Sequence, residues 1–172
     1  MNAIERRKLI LNELKESNKP FTGSELAIKF GVTRQIIVKD IALLRAEAND
    51  IIATSSGYII LKSESKHKRL KKVIAVCHDQ SKIEEELSIV IKYGGIIEDV
   101  IVEHPLYGEI KANLMIRNLN ELHKFIERFE RLNAKPLAEL TEGVHIHTIS
   151  ADSEENLILI IKELEKNNFL IH

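Results

Sequence analysis

The sequence predicts an α+β protein in two parts, a winged helix-turn-helix over residues 1–62 and a two-layer α/β sandwich over residues 72–172. Two observations support this prediction. Before Ile51, apolar residues recur at helical spacing, and two short β segments around a Ser-Ser-Gly turn follow them. From Lys72 onward, strands alternate with amphipathic helices. The residues between the two parts, 63–71, are polar and rich in lysine, and we interpret them as a linker.

The composition is that of a soluble, folded protein of a reducing compartment. The 172 residues include 25 Lys and Arg against 26 Asp and Glu, and 44% are hydrophobic. No apolar run approaches the roughly 18 to 20 residues that a membrane span requires, and the first residues are too charged for a signal peptide. The single cysteine, Cys77, cannot form an internal disulfide. We therefore expect a cytoplasmic protein without membrane contact.

The near-zero net charge hides an asymmetry between the two parts. Residues 1–72 hold 15 basic and 8 acidic side chains, a net charge of +7. Residues 73–172 hold 10 basic and 18 acidic side chains, a net charge of −8. A basic half suits a polyanion such as nucleic acid, whereas an acidic half repels one. We therefore expect different partners for the two halves.

Apolar residues at helical spacing predict a first helix from Ala3 to Glu16. Its inward face comprises Ile4, Leu11 and Leu14, with Ile10 beside them. A capping box then predicts the start of a second helix, because Thr22 and Glu25 can each satisfy a free backbone N–H. That helix carries Leu26, Ala27 and Phe30 inward and ends at Gly31, a residue suited to the left-handed conformation at a helix C-terminus.

The third helix supplies the candidate DNA-reading residues. Thr33 caps it, and Ile37, Ile41 and Leu44 form its inward stripe. Helix, three-residue turn and helix make a helix-turn-helix motif, whose last helix enters the major groove with its N-terminal residues at the base edges. Arg suits guanine and Gln suits adenine. The predicted DNA-binding residues are Thr33, Arg34, Gln35 and Lys39.

A β-hairpin over Ile51–Leu61 follows the third helix and predicts a wing. The order of cap, glycine turn, capped polar-faced helix and hairpin favours double-stranded operator DNA as the partner. The alternative is a three-helix protein-interaction module with the same core. A small winged helix makes few contacts, so we expect the chain to bind a two-fold symmetric site as a homodimer.

The second part predicts seven elements and a final short strand. They are strand Val73–Cys77, helix Ser81–Tyr93, strand Glu98–Glu103, strand Glu109–Ile116, helix Leu119–Leu132, strand Val144–Ile149, helix Ser153–Lys166 and strand Phe169–Ile171. Amphipathic helices beside an antiparallel or mixed sheet predict a sandwich with one sheet face covered. Cys77 is interpreted as a buried small hydrophobe.

Two histidines spaced as a chelating pair indicate a metal site. His145 and His147 are two residues apart on a predicted strand, so both side chains leave the same sheet face. His78 follows another strand, and a helix with Glu84, Glu85 and Glu86 comes next. Helical geometry does not choose between Glu84 and Glu86, whereas Glu85 is expected to face solvent. Imidazoles with a carboxylate suit Zn, Ni, Co or Fe(II) far better than Mg or Ca. An incidental His-x-His on an exposed sheet is the alternative.

Six features spread over nearly the whole chain carry a family resemblance, namely Val32–Gln35, Asp40–Arg45, His78, Glu86, His104–Gly108 and Gly143–Thr148. With this combination the chain resembles the niacin-responsive (NiaR-type) repressors, which join a winged helix to a three-histidine domain. The resemblance implies a dimeric repressor of genes for NAD synthesis or niacin uptake, with nicotinic acid as co-repressor and a transition metal in the second part. It also selects Glu86 as the carboxylate, giving the ligand set His78, Glu86, His145 and His147, and suggests a fold similar to the histidine-containing phosphocarrier.

The sequence departs from the family pattern at two places. Leu106 stands where the His-Pro-Val-Tyr-Gly motif has Val, a conservative change. Asn49 follows Ala48 where many related winged helices place Gly, and Asn tolerates the left-handed cap. Within the motif, His104 and Tyr107 are candidate effector contacts, with a purely structural turn as the alternative.

Two rival functions remain open from the sequence. A three-histidine, one-carboxylate site with an open position could activate water in a metal-dependent hydrolase fused to a winged helix. No general base or nucleophile motif accompanies the site, so we predict that the chain is not an enzyme. A phosphocarrier-like role for one exposed histidine is the other possibility, and the pairing of His145 with His147 argues for chelation instead.

Overall fold

The structure is a computed structural model that describes residues 1–61 and 69–171. The chain divides into two compact units, residues 1–65 and residues 66–172. Most of the predicted linker, residues 63–71, lies outside the described residues. Its last two residues, Leu70 and Lys71, lie in the first strand of the second unit.

Three helices and a hairpin form the first unit. They are α1 (Ala3–Glu16), α2 (Gly23–Phe30), α3 (Arg34–Ala46), β1 (Ile51–Thr54) and β2 (Gly57–Ile60). The predicted caps are confirmed: Thr22 and Glu25 form a capping box, Gly31 ends α2 with a φ of 64°, and the Thr33 side chain accepts the N–H of Ile36. The predicted winged helix-turn-helix is therefore present.

The core of the first unit lies between the three helices and β1. It consists of Ile10, Leu14, Leu26, Ala27, Ile37, Ile41, Leu44 and Ile51. Ile4 was predicted to belong to this face and is instead 61% exposed. The buried face of α1 is centred on Ile10 and Leu14, which are four residues apart, and Ile4 lies well away from that line on a helix of 3.6 residues per turn.

The end of α3 differs from the expectation for Asn49. Ala48, not Asn49, adopts the left-handed conformation, with a φ of 61°. The Asn49 side chain donates instead to the backbone oxygen of Leu44 at 2.8 Å. Asn49 thereby satisfies a carbonyl that the last helical turn leaves free.

Within the described residues 69–171, four antiparallel strands and three helices form the second unit. They are β3 (Leu70–Cys77), α4 (Ile83–Lys92), β4 (Ile96–His104), β5 (Gly108–Ile116), α5 (Leu119–Arg131), β6 (Val144–Ala151) and α6 (Glu154–Lys166), in the sheet order β3-β6-β4-β5. The 3₁₀ turns Gln80–Lys82 and Leu137–Thr141 were not predicted. The predicted last strand is only a single bridge from Leu170 to Val76.

The helices cover one face of this sheet, as the predicted two-layer α+β sandwich requires. Along β3, Ile74 and Val76 are buried in the helical layer, while Val73 is 63% exposed on the other face. Cys77 is exposed as well, so its predicted burial is wrong. The alternation of a strand puts Cys77 opposite Val76, and that second sheet face has no helical layer in the described residues.

Candidate metal centre and nucleic-acid interface

Four side chains from three elements meet inside the second unit. β6 directs His145 and His147 into the covered side of the sheet, where each is 4% exposed. The first turn of α4 brings Glu86 to the same place with 1% exposure, and His78 arrives from the end of β3. Glu86 Oε2 lies 2.7 Å from Nε2 of His78 and 3.7 Å from Nε2 of His145, and Glu86 Oε1 lies 3.4 Å from Nε2 of His147.

All three histidines are oriented by a backbone carbonyl. His78 Nδ1 lies 2.8 Å from the oxygen of Asp79, and His145 Nδ1 lies 2.9 Å from the oxygen of Gly143. His147 Nδ1 lies 2.5 Å from the oxygen of Asp99. A carbonyl oxygen can only accept, so each Nδ1 carries the hydrogen and donates it. Each Nε2 is therefore turned toward Glu86, the arrangement in which a neutral histidine offers its lone pair to a metal.

The four groups shift one another's proton affinities. Burial raises the pKa of Glu86, but the histidines outweigh it through charge and hydrogen bonding and hold that pKa well below 4.5. Burial lowers the pKa of His147 and of His78, and the Glu86 carboxylate outweighs it and raises both above 6.5. Glu86 is thus ionised at neutral pH and requires positive charge beside it, from protonated histidines or from a cation.

The donor set fits a transition metal. Ligand atoms of His78, Glu86 and His145 lie within 4.8 Å of one another, and His147 flanks this group. Glu86 Oε1 is buried and has no hydrogen-bond partner among the described residues, an orphan acceptor that a cation would satisfy. Imidazole nitrogens with one carboxylate suit Zn, Ni, Co or Fe(II). Of the acidic side chains left open by the sequence, Glu84 is exposed and Glu86 is the one in the cluster.

A cavity of about 460 Å³ adjoins the cluster. The sheet contributes Val100, Ala112 and Leu114 to its wall, and α5 contributes Phe125 and Phe129. Charged side chains also line it, namely Asp79, Lys135, Glu139 and Glu142. Its size falls within the roughly 300 to 1,000 Å³ of small-molecule sites. Neither the cavity nor the 3₁₀ turn that helps to line it follows from the periodicity of the sequence.

Gly143 sets the approach of two histidine-bearing segments. Its φ is 93°, and a Cβ at this position would lie 2.6 Å from the carbonyl oxygen of His78. Its own carbonyl accepts from His145 Nδ1 and from the His78 N–H. Glycine is required here because any side chain would push His78 away from His145.

The structure does not bring His104 and Tyr107 to the cluster. His104 is the last residue of β4, and Tyr107 lies in the turn that leads to β5, where it is 72% exposed and its ring stacks on the His104 imidazole at 5.0 Å. His104 Nδ1 accepts the N–H groups of Leu106 and Tyr107 at 3.2 and 3.3 Å. Neither residue lines the cavity.

The first unit presents its DNA-reading candidates at the start and on the exposed surface of α3. Arg34, Gln35 and Lys39 are exposed on α3, and Thr33 caps it. The same helix is fixed from behind by Asp40, which is 2% exposed and lies 2.6 Å from Nε of Arg6 and 3.5 Å from a terminal nitrogen of Arg7. This buried pairing, absent from the sequence prediction, orients α3 against α1.

Comparison with known proteins gives matches for both units. Residues 71–172 match the family described as 3H domain, and residues 6–59 match one described as HTH domain. The chain is 44% identical over 167 residues to the probable transcription repressor NiaR of Thermotoga maritima, covering 97% of this chain and 94% of that protein. It is 40% identical over 167 residues to the transcription repressor NadR of Bacillus subtilis, covering 96% and 93%. None of the described helices is long and apolar enough to cross a membrane.

Proposed function

We propose a function for this chain, which belongs to the family of 3H-domain transcription repressors with an N-terminal helix-turn-helix. The two relatives are named as a probable transcription repressor and a transcription repressor, and transcription repressors are not enzymes. We propose that the chain binds double-stranded operator DNA as a homodimer and represses genes of NAD synthesis or niacin uptake. Nicotinic acid is the proposed co-repressor, and a transition metal held by the second unit is the proposed cofactor.

One observation carries the metal proposal: the Nε2 atoms of three histidines lie 2.7 to 3.7 Å from the buried Glu86 carboxylate, whose Oε1 has no hydrogen-bond partner among the described residues. His78, Glu86, His145 and His147 would hold the ion. When bound, the ion would supply a Lewis-acidic positive charge beside the cavity. Four protein ligands fill a tetrahedral shell, so an effector that also binds the metal needs a five- or six-coordinate ion. Ni, Co and Fe(II) accept such a shell more readily than Zn.

The cavity lining supports a small aromatic acid as effector. Phe125 and Phe129 offer flat apolar surface for a pyridine ring, and the metal site lies beside it. Lys135, a cation in the lining, is paired with Glu139 at 2.7 Å, and Asp79 and Glu142 add further negative charge. That balance suits one carboxylate held at the metal and disfavours a phosphorylated pyridine nucleotide, whose phosphates would face the acidic groups. The turn with His104 and Tyr107 stays a second candidate for effector contact.

The rival functions have less support. If the chain were a metal-dependent hydrolase, its similar relatives should be named as enzymes. The two relatives above are named as transcription repressors instead. A phosphocarrier-like role needs a histidine open to a phosphate donor, whereas His145 and His147 are each 4% exposed.

The test is binding to promoter DNA of candidate niacin genes, titrated with nicotinic acid and with its amide and mononucleotide. Metal-loaded protein should bind the operator more tightly with nicotinic acid and respond less to the other two compounds. Protein stripped by a chelator should lose the response and regain it when metal is restored. Equal DNA binding with and without nicotinic acid, in metal-loaded protein, would contradict the proposed co-repressor.

A further inference from the structure

The pairing of β4 with β6 contains a bulge beside the metal centre. Ile97 pairs with Ile149 and Ile101 pairs with Ile146, so β4 uses one more residue than β6 over the same stretch. Bulges of this kind release backbone groups from the ladder and redirect side chains. Asp99 lies between these two paired positions, and its carbonyl contacts His147 Nδ1.

The Asp99 side chain is fixed by two further contacts. Its Oδ1 accepts the backbone N–H of Thr148 at 2.8 Å, and its Oδ2 lies 2.7 Å from Nζ of Lys111. Asp99 is only 2% exposed, which is unusual for a carboxylate. Since Thr148 follows His147, one residue of β4 holds two adjacent residues of β6, through its carboxylate and through its carbonyl.

His147 depends on this contact more than its two partners depend on theirs. The carbonyls that orient His78 and His145 belong to Asp79 and Gly143, one and two residues away in the chain. The carbonyl that orients His147 comes from a residue 48 positions away on another strand. Only for His147, among the three, does ligand orientation require a tertiary contact to stay in place.

We propose that Asp99 is a positioning residue of the metal centre. Its carboxylate accepts the Thr148 N–H, and this hydrogen bond holds β4 and β6 in the register that keeps the Asp99 carbonyl in contact with His147 Nδ1. The inference rests on the proposed metal binding. The carbonyl fixes the hydrogen on Nδ1 and leaves Nε2 free as a ligand. The hydrogen bond to Thr148 is the essential contact, because Lys111 is about half exposed and such ion pairs contribute little.

The two contacts of the Asp99 carboxylate can be separated by substitution. Asp99→Ala removes both contacts. Asp99→Asn keeps an oxygen for Thr148 and loses the charge pair, and Lys111→Met loses only the charge pair. Cobalt(II) affinity, measured against a competing chelator, should fall about 10- to 100-fold in Asp99→Ala. It should stay within about threefold of wild type in Asp99→Asn and Lys111→Met, as expected for a weak exposed pair.

Two further readouts distinguish positioning from general destabilisation. The visible absorption spectrum of the cobalt protein should change in Asp99→Ala, because a ligand is misplaced, and stay unchanged in Lys111→Met. In metal-free protein, amide hydrogen exchange at Thr148 should accelerate in Asp99→Ala and not in Asp99→Asn. Thermal unfolding of each metal-free variant reports whether the fold is retained.

Each outcome assigns a cause. Wild-type cobalt affinity and spectrum in Asp99→Ala overturn the positioning role and leave the metal site intact. Absence of cobalt binding to the wild type, with the exchange pattern as expected, overturns the metal proposal instead. If Asp99→Ala does not fold, the other two variants decide, because a tenfold loss in either one shows that the charge pair and not the Thr148 bond is required.

Discussion

Glu86 is the buried negative charge at the centre of the proposed metal site. Because its pKa is lower in the folded than in the unfolded protein, Glu86 stabilises the metal-free fold above about pH 4.5. This stability is lost as the pH falls through the lowered pKa of the folded state. The raised pKa values of His78 and His147 add stability below about pH 6.5, which is lost as pH rises through the higher folded values. Together these groups stabilise the metal-free fold most between about pH 4.5 and pH 6.5.

Metal-free and metal-loaded protein should therefore respond to pH in opposite directions. Raising the pH from 6 toward 8 should lower the melting temperature of the metal-free protein. The same change should tighten metal binding, because the metal must displace protons from histidines whose pKa is raised. Calorimetric melting with and without cobalt measures both trends. Glu86→Gln is the control, and an undiminished pH response in that variant would mean that other groups cause it.

Arg34 and Lys39 lie on the same exposed helix and should differ in what they contribute to DNA binding. Arg34→Ala should cost about 1–3 kcal/mol at the operator and relax base preference at one position, as expected for a bidentate base contact. Lys39→Ala should weaken binding to all sequences and reduce the salt slope by about one. Competition binding over a randomised half-site measures both effects. Unchanged specificity in Arg34→Ala would remove it from the base-reading residues.

At the scale of elements, Gly143 and Gly108 form a matched pair of turn residues. Both have positive φ values, 93° and 71°, but a Cβ at Gly108 would meet nothing within 4 Å. Gly108→Ala should therefore cost only backbone strain, about 1–2 kcal/mol. Gly143→Ala adds overpacking against the His78 carbonyl, about 1–3 kcal/mol more, and should weaken metal binding. Denaturant unfolding and cobalt titration test this, and equal metal affinity in the two variants would contradict the role of Gly143.

Local patterns predicted the elements well because their causes lie within a few residues. The capping box at Thr22, the glycine end of α2 and the shared face of His145 and His147 depend only on neighbours in the chain. Glu86 could not be chosen over Glu84 from spacing, because the choice depends on how α4 packs on the sheet. The bulge at Asp99 and the cavity depend on how distant segments of the chain pair and pack. The periodicity of apolar residues within one segment cannot predict such contacts.

At the scale of the whole molecule, the net positive charge of residues 1–72 comes mainly from residues 62–72. Residues 1–61 hold nine basic and seven acidic side chains, whereas residues 62–72 hold six basic and one acidic. The first unit is therefore close to neutral overall. Its affinity for DNA should therefore rest more on the contacts of helix α3 than on net charge.

The two units should respond separately to loss of the metal ligands, because each has its own buried core. Replacing His145 and His147 together with Ala should abolish stoichiometric metal while the helices and hairpin of the first unit stay folded. Elemental analysis and proteolysis of the variant measure the two properties. A full equivalent of metal in the double variant would show that the proposed ligands are wrong.

Coupling between effector and operator must be reciprocal, and this gives the sharpest test of the intact repressor. If nicotinic acid raises operator affinity, operator DNA must raise nicotinic acid affinity by the same factor, corresponding to about 1–3 kcal/mol in typical cases. Calorimetry of metal-loaded and metal-stripped protein, each with and without operator, measures the four states that decide this. We expect coupling only in the loaded protein, because the cavity adjoins His78, Glu86, His145 and His147. Equal nicotinic acid affinity in loaded and stripped protein would make the metal structural and direct the search for the effector to the turn with Tyr107.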